Sequence, residues 1–116
     1  MDDLVSLNGR WPDWAVSQWD GLTLVLIADL DLTYHHAVEV SFSDVQFVGT
    51  TDSFSFPTFR TVTDEERARL AAMFGPDLPS TLVAWEAETS NGSGSCLVAC
   101  ASVTVAEGHV SHDLGN

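Results

Sequence analysis

Residues 34–42 read YHHAVEVSF, and this strict alternation is the tightest constraint on what the chain can become. Tyr34, His36, Val38, Val40 and Phe42 fall on one side of an extended chain, and His35, Ala37, Glu39 and Ser41 on the other. A period of two with one apolar side is the signature of a strand laid on a core. The preceding LTLVLIADL (22–30) points Leu22, Leu24, Leu26 and Ala28 one way and Val25 and Ile27 the other. Apolar residues on both faces predict a central strand. TLVAWEAET (81–89) sets Val83, Trp85 and Ala87 against Glu86 and Glu88, and SCLVACASVTVAE (95–107) is small and apolar on both faces. Asn91-Gly92 between them favours a hairpin. After Phe42 the phase slips, because Val45 and Phe47 lie on the opposite parity, so a bulge is expected at Ser43-Asp44.

One segment breaks the β pattern. In TVTDEERARLAAMFGP, Thr63 and Glu66 have the spacing of a capping box, and Leu70, Met73 and Phe74 form an apolar stripe. Gly75 and Pro76 stop the helix, which is predicted over about 64–74. GTTDSFSFPTF (49–59) reads as a loop or irregular edge whose Phe54, Phe56 and Phe59 fold back on the core. Pro12 fits the first turn of a short helix, and Asp20-Gly21 marks a turn. The expected architecture is mainly β or α+β: an antiparallel sheet of four or more strands with one packed helix. At 116 residues the chain makes one domain, 1–116, with 109–116 as a frayed polar tail.

Charge narrows the function. Seventeen acidic residues face four arginines and no lysine, for a net charge of −13. Such a surface repels nucleic acid and anionic lipid and speeds encounter with a basic protein. Without lysine there is no Schiff-base chemistry and no lysine-type phosphate loop. No apolar run reaches the ~20 residues that span a membrane, and the acidic opening MDDLVSLNGR differs from a signal peptide, so a cytoplasmic protein is expected. Cys96 and Cys100 stand ~13 Å apart on one strand face, too far for a disulfide, and read as buried free thiols.

Chemistry-bearing clusters are few. His35 and His36 point to opposite faces of a strand, and His109 and His112 lie in a tail without helical pattern, so no metal site is expected and no cofactor is implied. Asp29 and Asp31 share parity and would meet His35 or His36 across a hairpin, as strand-end solvation or as an acid–base cluster. NGSGS (91–95) is a turn rather than a nucleophile elbow.

Three of the four tryptophans crowd into GRWPDWAVSQWDG (9–21). Trp11, Trp14 and Trp19, with Asp13 and Asp20, are the candidate partner-binding residues; packing in the core is the other role open to the indoles. RWPDWAVSQWDGLTLVLIAD resembles the opening of a family of small bacterial immunity proteins from polymorphic-toxin systems, which begin near W-P-x-F-H-D-A-x-V before an apolar strand. Trp11 and Pro12 match, Trp14 stands for the phenylalanine, and Ala15-Val16 replaces the His-Asp pair. Val40, Phe42 and Val45 match a second-strand phrase V-x-F-x-x-V, and SCLVACASVTV a later strand with an early cysteine. The resemblance implies a non-enzymatic protein that neutralises a basic toxin domain. A second reading is a β-rich ligand-binding protein or biosynthetic enzyme, with an apolar cavity lined by Tyr34, His36, Asp29 and Trp85. A third is a homo-oligomer joined through an exposed strand or the Phe54–Phe59 segment.

Overall fold

Alternating segments of this kind need one face covered, and here the sheet covers its own by curling until it meets itself. The computed structural model describes residues 2–29, 35–90 and 92–111. A short helix α1 (Asp2–Val5) precedes β1 (Asp13–Trp19), β2 (Leu24–Asp29), β3 (His35–Ser43), β4 (Phe47–Gly49) and β5 (Ser53–Arg60). Helix α2 (Asp64–Phe74) and a 3-10 turn (Gly75–Asp77) lead to β6 (Thr81–Thr89), β7 (Gly92–Cys100) and β8 (Ser102–Ser111). The eight strands form one antiparallel sheet in the order β4-β7-β6-β5-β1-β2-β3-β8.

The two outer strands are continuations of inner ones. β4 extends β3, and β8 extends β7, each across a short break. Hydrogen bonds from Ala101 N to Ser43 O (3.0 Å) and from Gln46 N to Ala99 O (2.8 Å) bridge the breaks. One ladder therefore runs from His35↔Ser111 to Gly49↔Leu97 and joins the ends of the sheet. The result is a closed antiparallel barrel, which protects strand edges that an open sheet would leave bare.

The barrel interior is the main core. Leu24, Leu26, Ala28, Val38, Val40 and Phe42 enter it from β2 and β3, and Val83, Trp85, Ala87, Cys96, Val98 and Cys100 from β6 and β7. Five aromatic rings fill its centre: Trp14 stacks on Phe54 (6.0 Å) and meets Phe59 edge-on (5.4 Å), while Trp85 touches Phe42, Phe54 and Phe59. Leu4 and Leu7, from α1 and the turn after it, are buried in the same cluster. Asn8 locks that segment to β5: its Oδ1 accepts from Phe59 N (2.8 Å) and its Nδ2 donates to Phe59 O (3.1 Å).

α2 packs outside the barrel, where Leu70 joins Leu82 and Ala99 with Phe47, Phe74 and Leu97. The helix begins as its sequence predicts. Thr63 Oγ1 accepts from Glu66 N (3.1 Å), and Glu66 Oε1 accepts from Thr63 N (2.8 Å). Arg60, at the end of β5, donates to both Glu66 and Glu86, tying helix to sheet.

Several expectations are corrected. Pro12 opens an extended segment, since its carbonyl accepts from Phe56 N and β1 starts at Asp13. Residues 53–60 form a full strand in place of a loop, with an irregularity at Phe56-Pro57 where the register with β6 shifts; Phe56, at φ 48°, is exposed rather than folded back on the core. The segment 95–107 is two strands, bent at Ala101, and β8 runs on through Ser111, past residue 109 where a tail was expected. Leu22 lies in the β1–β2 turn and is exposed. The slip at Ser43-Asp44 is present, with Asp44 at φ 52°.

Candidate functional site

β1 pairs with β2 along its whole length but with β5 only at Asp13, Trp14 and Ala15, plus Val16 N to Asp52 O (2.7 Å). Beyond Val16 its second edge carries no ladder partner among the described residues. A bulge also falls there: Val16 pairs with Leu26, whereas Gln18 pairs with Val25 and Trp19 with Leu24. In a regular strand Gln18 would share the inner face with Trp14 and Val16. The extra residue, Ser17, gives that face to Trp19, because cross-strand partners share a face and Leu24 points inward.

Trp19 thus overhangs one mouth of the barrel, 47% exposed. Below it opens a cleft of about 340 Å³ lined by Val16, Trp19, Leu24, Val45, Val48 and Asp52, among others. None of its lining residues is basic. Asp52 is the one acidic residue in that lining. Asp20 holds the β1–β2 turn, its Oδ1 accepting from Thr23 N (2.7 Å) and Leu22 N (3.0 Å). Those two backbone donors keep its carboxyl below the usual carboxylate range.

The tryptophan cluster of the sequence is therefore divided along the barrel. Trp14 is wholly buried, its Nε1 donating to Trp11 O (2.9 Å), and is a core residue rather than a contact. Trp11 packs partly buried on the core, with the Arg10 guanidinium 5.9 Å from its ring centre. Asp13 lies at the other end of β1, ~20 Å of strand from Trp19. It lines a separate polar cleft of about 510 Å³ with Ser53, Ser55, Glu88 and Ser93. Of the five candidates, Trp19 and Asp20 adjoin at the β1–β2 turn, Trp14 is core, and Trp11 and Asp13 lie toward the other end of β1. The facing of Trp19, named as a candidate from the sequence, was not legible, since it depends on a bulge that no turn residue announces.

The described members of the alternative set, Trp85, Asp29 and His36, are all buried and line neither cleft. Trp85 is wholly buried in the aromatic centre, and its Nε1 finds no acceptor there. Asp29 and His36 are buried in β2 and β3, and His36 Nε2 lies 2.9 Å from Glu39 Oε1. Tyr34 and Asp31 lie outside the described residues, as do His112 and the side chains of His35 and His109. Among the described residues no three His, Cys, Asp or Glu side chains gather as a metal site would require. Cys96 and Cys100 are buried free thiols on one inner face, as expected.

The fold and this cleft define a class: a closed antiparallel β-barrel with an outer helix and an acidic, tryptophan-walled mouth. No described helix is long and apolar enough to cross a membrane. Compared with family models, curated proteins and solved structures, the chain matches none.

Proposed function

We propose that this chain is a binding protein, without a reactive centre of its own, that docks a basic protein at the mouth walled by Trp19. In keeping with the resemblance of its opening, the partner is a toxin domain that the complex neutralises. The observation that carries the reading is Trp19 itself. A large indole is turned inward by a bulge yet left half open over a cleft with no cation on its walls. Tryptophan is a preferred interface anchor, since it buries much area at little conformational cost.

The charge of −13 supplies the other half. Carboxylates steer a basic partner and raise the association rate, while the anchor sets the dissociation rate. The backbone donors of its turn, Thr23 and Leu22, lower the Asp20 carboxyl below its ordinary value. Against the ligand-cavity reading stands the packing of Trp85, whose ring faces are already taken by Phe42, Phe54 and Phe59.

The test is capture of the partner on the intact chain at low salt, purification of what is captured, and titration of the pair. A basic protein is expected, with an association rate falling about tenfold or more as salt shortens the screening length. Trp19→Ala is expected to speed dissociation. Association indifferent to salt, or a partner without a basic face, would sink the reading.

A further inference from the structure

The cleft offers more than an anchor, because strand edges flank it. Among the described residues, β1 has no ladder partner on its β5 side beyond Val16, and β4 pairs with β7 alone. Val16 and Trp19 from β1 line the same cleft as Val48 from β4 and Asp52 after it. An unpaired strand edge is a template for another strand, since its N–H and C=O groups lie in the plane of the sheet without partners. β8, at the end of the sheet order, also has an edge without a ladder partner among the described residues, but no residue of β8 lines this cleft.

We propose that the free edge of β1 at residues 17–19 receives an extended basic segment of the partner protein, added as a strand across the mouth. The proposal rests on the binding reading above and specifies its geometry. Charge complementarity selects the occupant. An added strand lies ~4.8 Å from β1 and sends alternate side chains to opposite faces. Those on the inner face meet Trp19, Val16 and Val48 and are apolar. Those on the outer face and at the strand ends meet Asp52 and the field of a chain with net charge −13, and are lysine or arginine. A segment alternating apolar and basic residues satisfies both. A second copy of this chain does not, because it would bring another −13 of charge to a chain of the same sign.

The experiment uses the intact chain and a short peptide of alternating valine and lysine, alongside the same peptide with alternate backbone amides N-methylated. The two carry equal charge, and only the first offers a complete ladder edge. Binding is followed by indole emission, with Trp19→Phe as control, and by amide shifts and exchange at Ser17, Trp19 and Val48. The expected result is that the unmodified peptide binds, protects amides of Ser17–Trp19, and outbinds the methylated one about tenfold or more, the worth of two ordinary hydrogen bonds. Asp52→Asn weakens it a few-fold and flattens its salt dependence. Equal binding of both peptides overturns strand addition while leaving the acidic-surface reading intact. Protection of the same amides in peptide-free chain that sediments as a dimer also overturns it, assigning the edge to a second copy. Failure to capture any basic partner, by contrast, removes the underlying reading.

Discussion

Trp19 stands opposite Leu24 across the β1–β2 ladder, although plain alternation from Trp14 would send it to the outer face. The bulge at Ser17 makes the difference, and it turns the indole from an outward side chain into the wall of a cleft. This pairing predicts a distinct optical signature. Trp14 and Trp85 are wholly buried, so the red-shifted, quencher-accessible emission should come chiefly from Trp19. Trp19→Phe is expected to shift the emission maximum to the blue and to lower acrylamide quenching. An unchanged quenching constant would show that the ring is not where the bulge puts it.

Trp14 and Trp19 should also differ in stability. Trp14→Ala empties the centre of an aromatic cluster and is expected to cost about 3–5 kcal/mol. Trp19→Ala, on a half-exposed ring, is expected to cost below about 1 kcal/mol. Urea unfolding at neutral pH measures both. Similar costs would place the two rings in equivalent surroundings, contrary to the fold.

Acid sensitivity should trace to Glu66. Hydrogen bonds from Arg60, reinforced by the Thr63 backbone N–H, lower its carboxyl from 4.5 to about 2. A carboxyl whose pKa falls on folding stabilises the protein fully above its unfolded value, near 4.5. That contribution is lost as pH drops from there toward 2. Glu66→Gln keeps an acceptor for the cap but removes the charge, so it should flatten the loss of stability between these limits. Glu66→Ala should cost more at neutral pH, about 1–3 kcal/mol, by leaving Arg60 and the helix start short of acceptors. Matching acid profiles for wild type and Glu66→Gln would discount the pair.

Asn8 acts as a one-residue strand against Phe59. Asn8→Ala removes both hydrogen bonds and is expected to cost about 1–3 kcal/mol, with faster amide exchange at Phe59. Exchange at Phe59 as slow as in wild type would show that Asn8 does not hold that backbone.

The thiols should be silent in the folded chain. Burial pushes Cys100 up to about 11, and Cys96 lies on the same inner face. A thiol-specific reagent at mild alkaline pH should label neither until denaturant unfolds the barrel, and then both. Rapid labelling in the native state would contradict their place in the core.

What could be read from the chain was what local physics fixes. The capping box of Thr63 and Glu66 and the stop at Gly75-Pro76 set α2 at both ends, because each depends on residues a few positions apart. Alternation in 36–42 and 83–87 marked the inner face, because side-chain direction in a strand follows parity. What escaped depended on partners far along the chain. Residues 53–60 form a strand only because β1 and β6 flank them. The barrel closes because β3–β4 finds β7–β8 about 60 residues on, a choice among strand pairings that no local pattern ranks. The candidate site belongs to the second group. The sequence by itself determined that the chain is acidic, β-rich and heavy with indole. Tertiary register alone decided that Trp19 joins Trp14 on the inner face, half-exposed at the end of β1 where Trp14 is core, since a single bulged residue reverses which face the later side chains of β1 take.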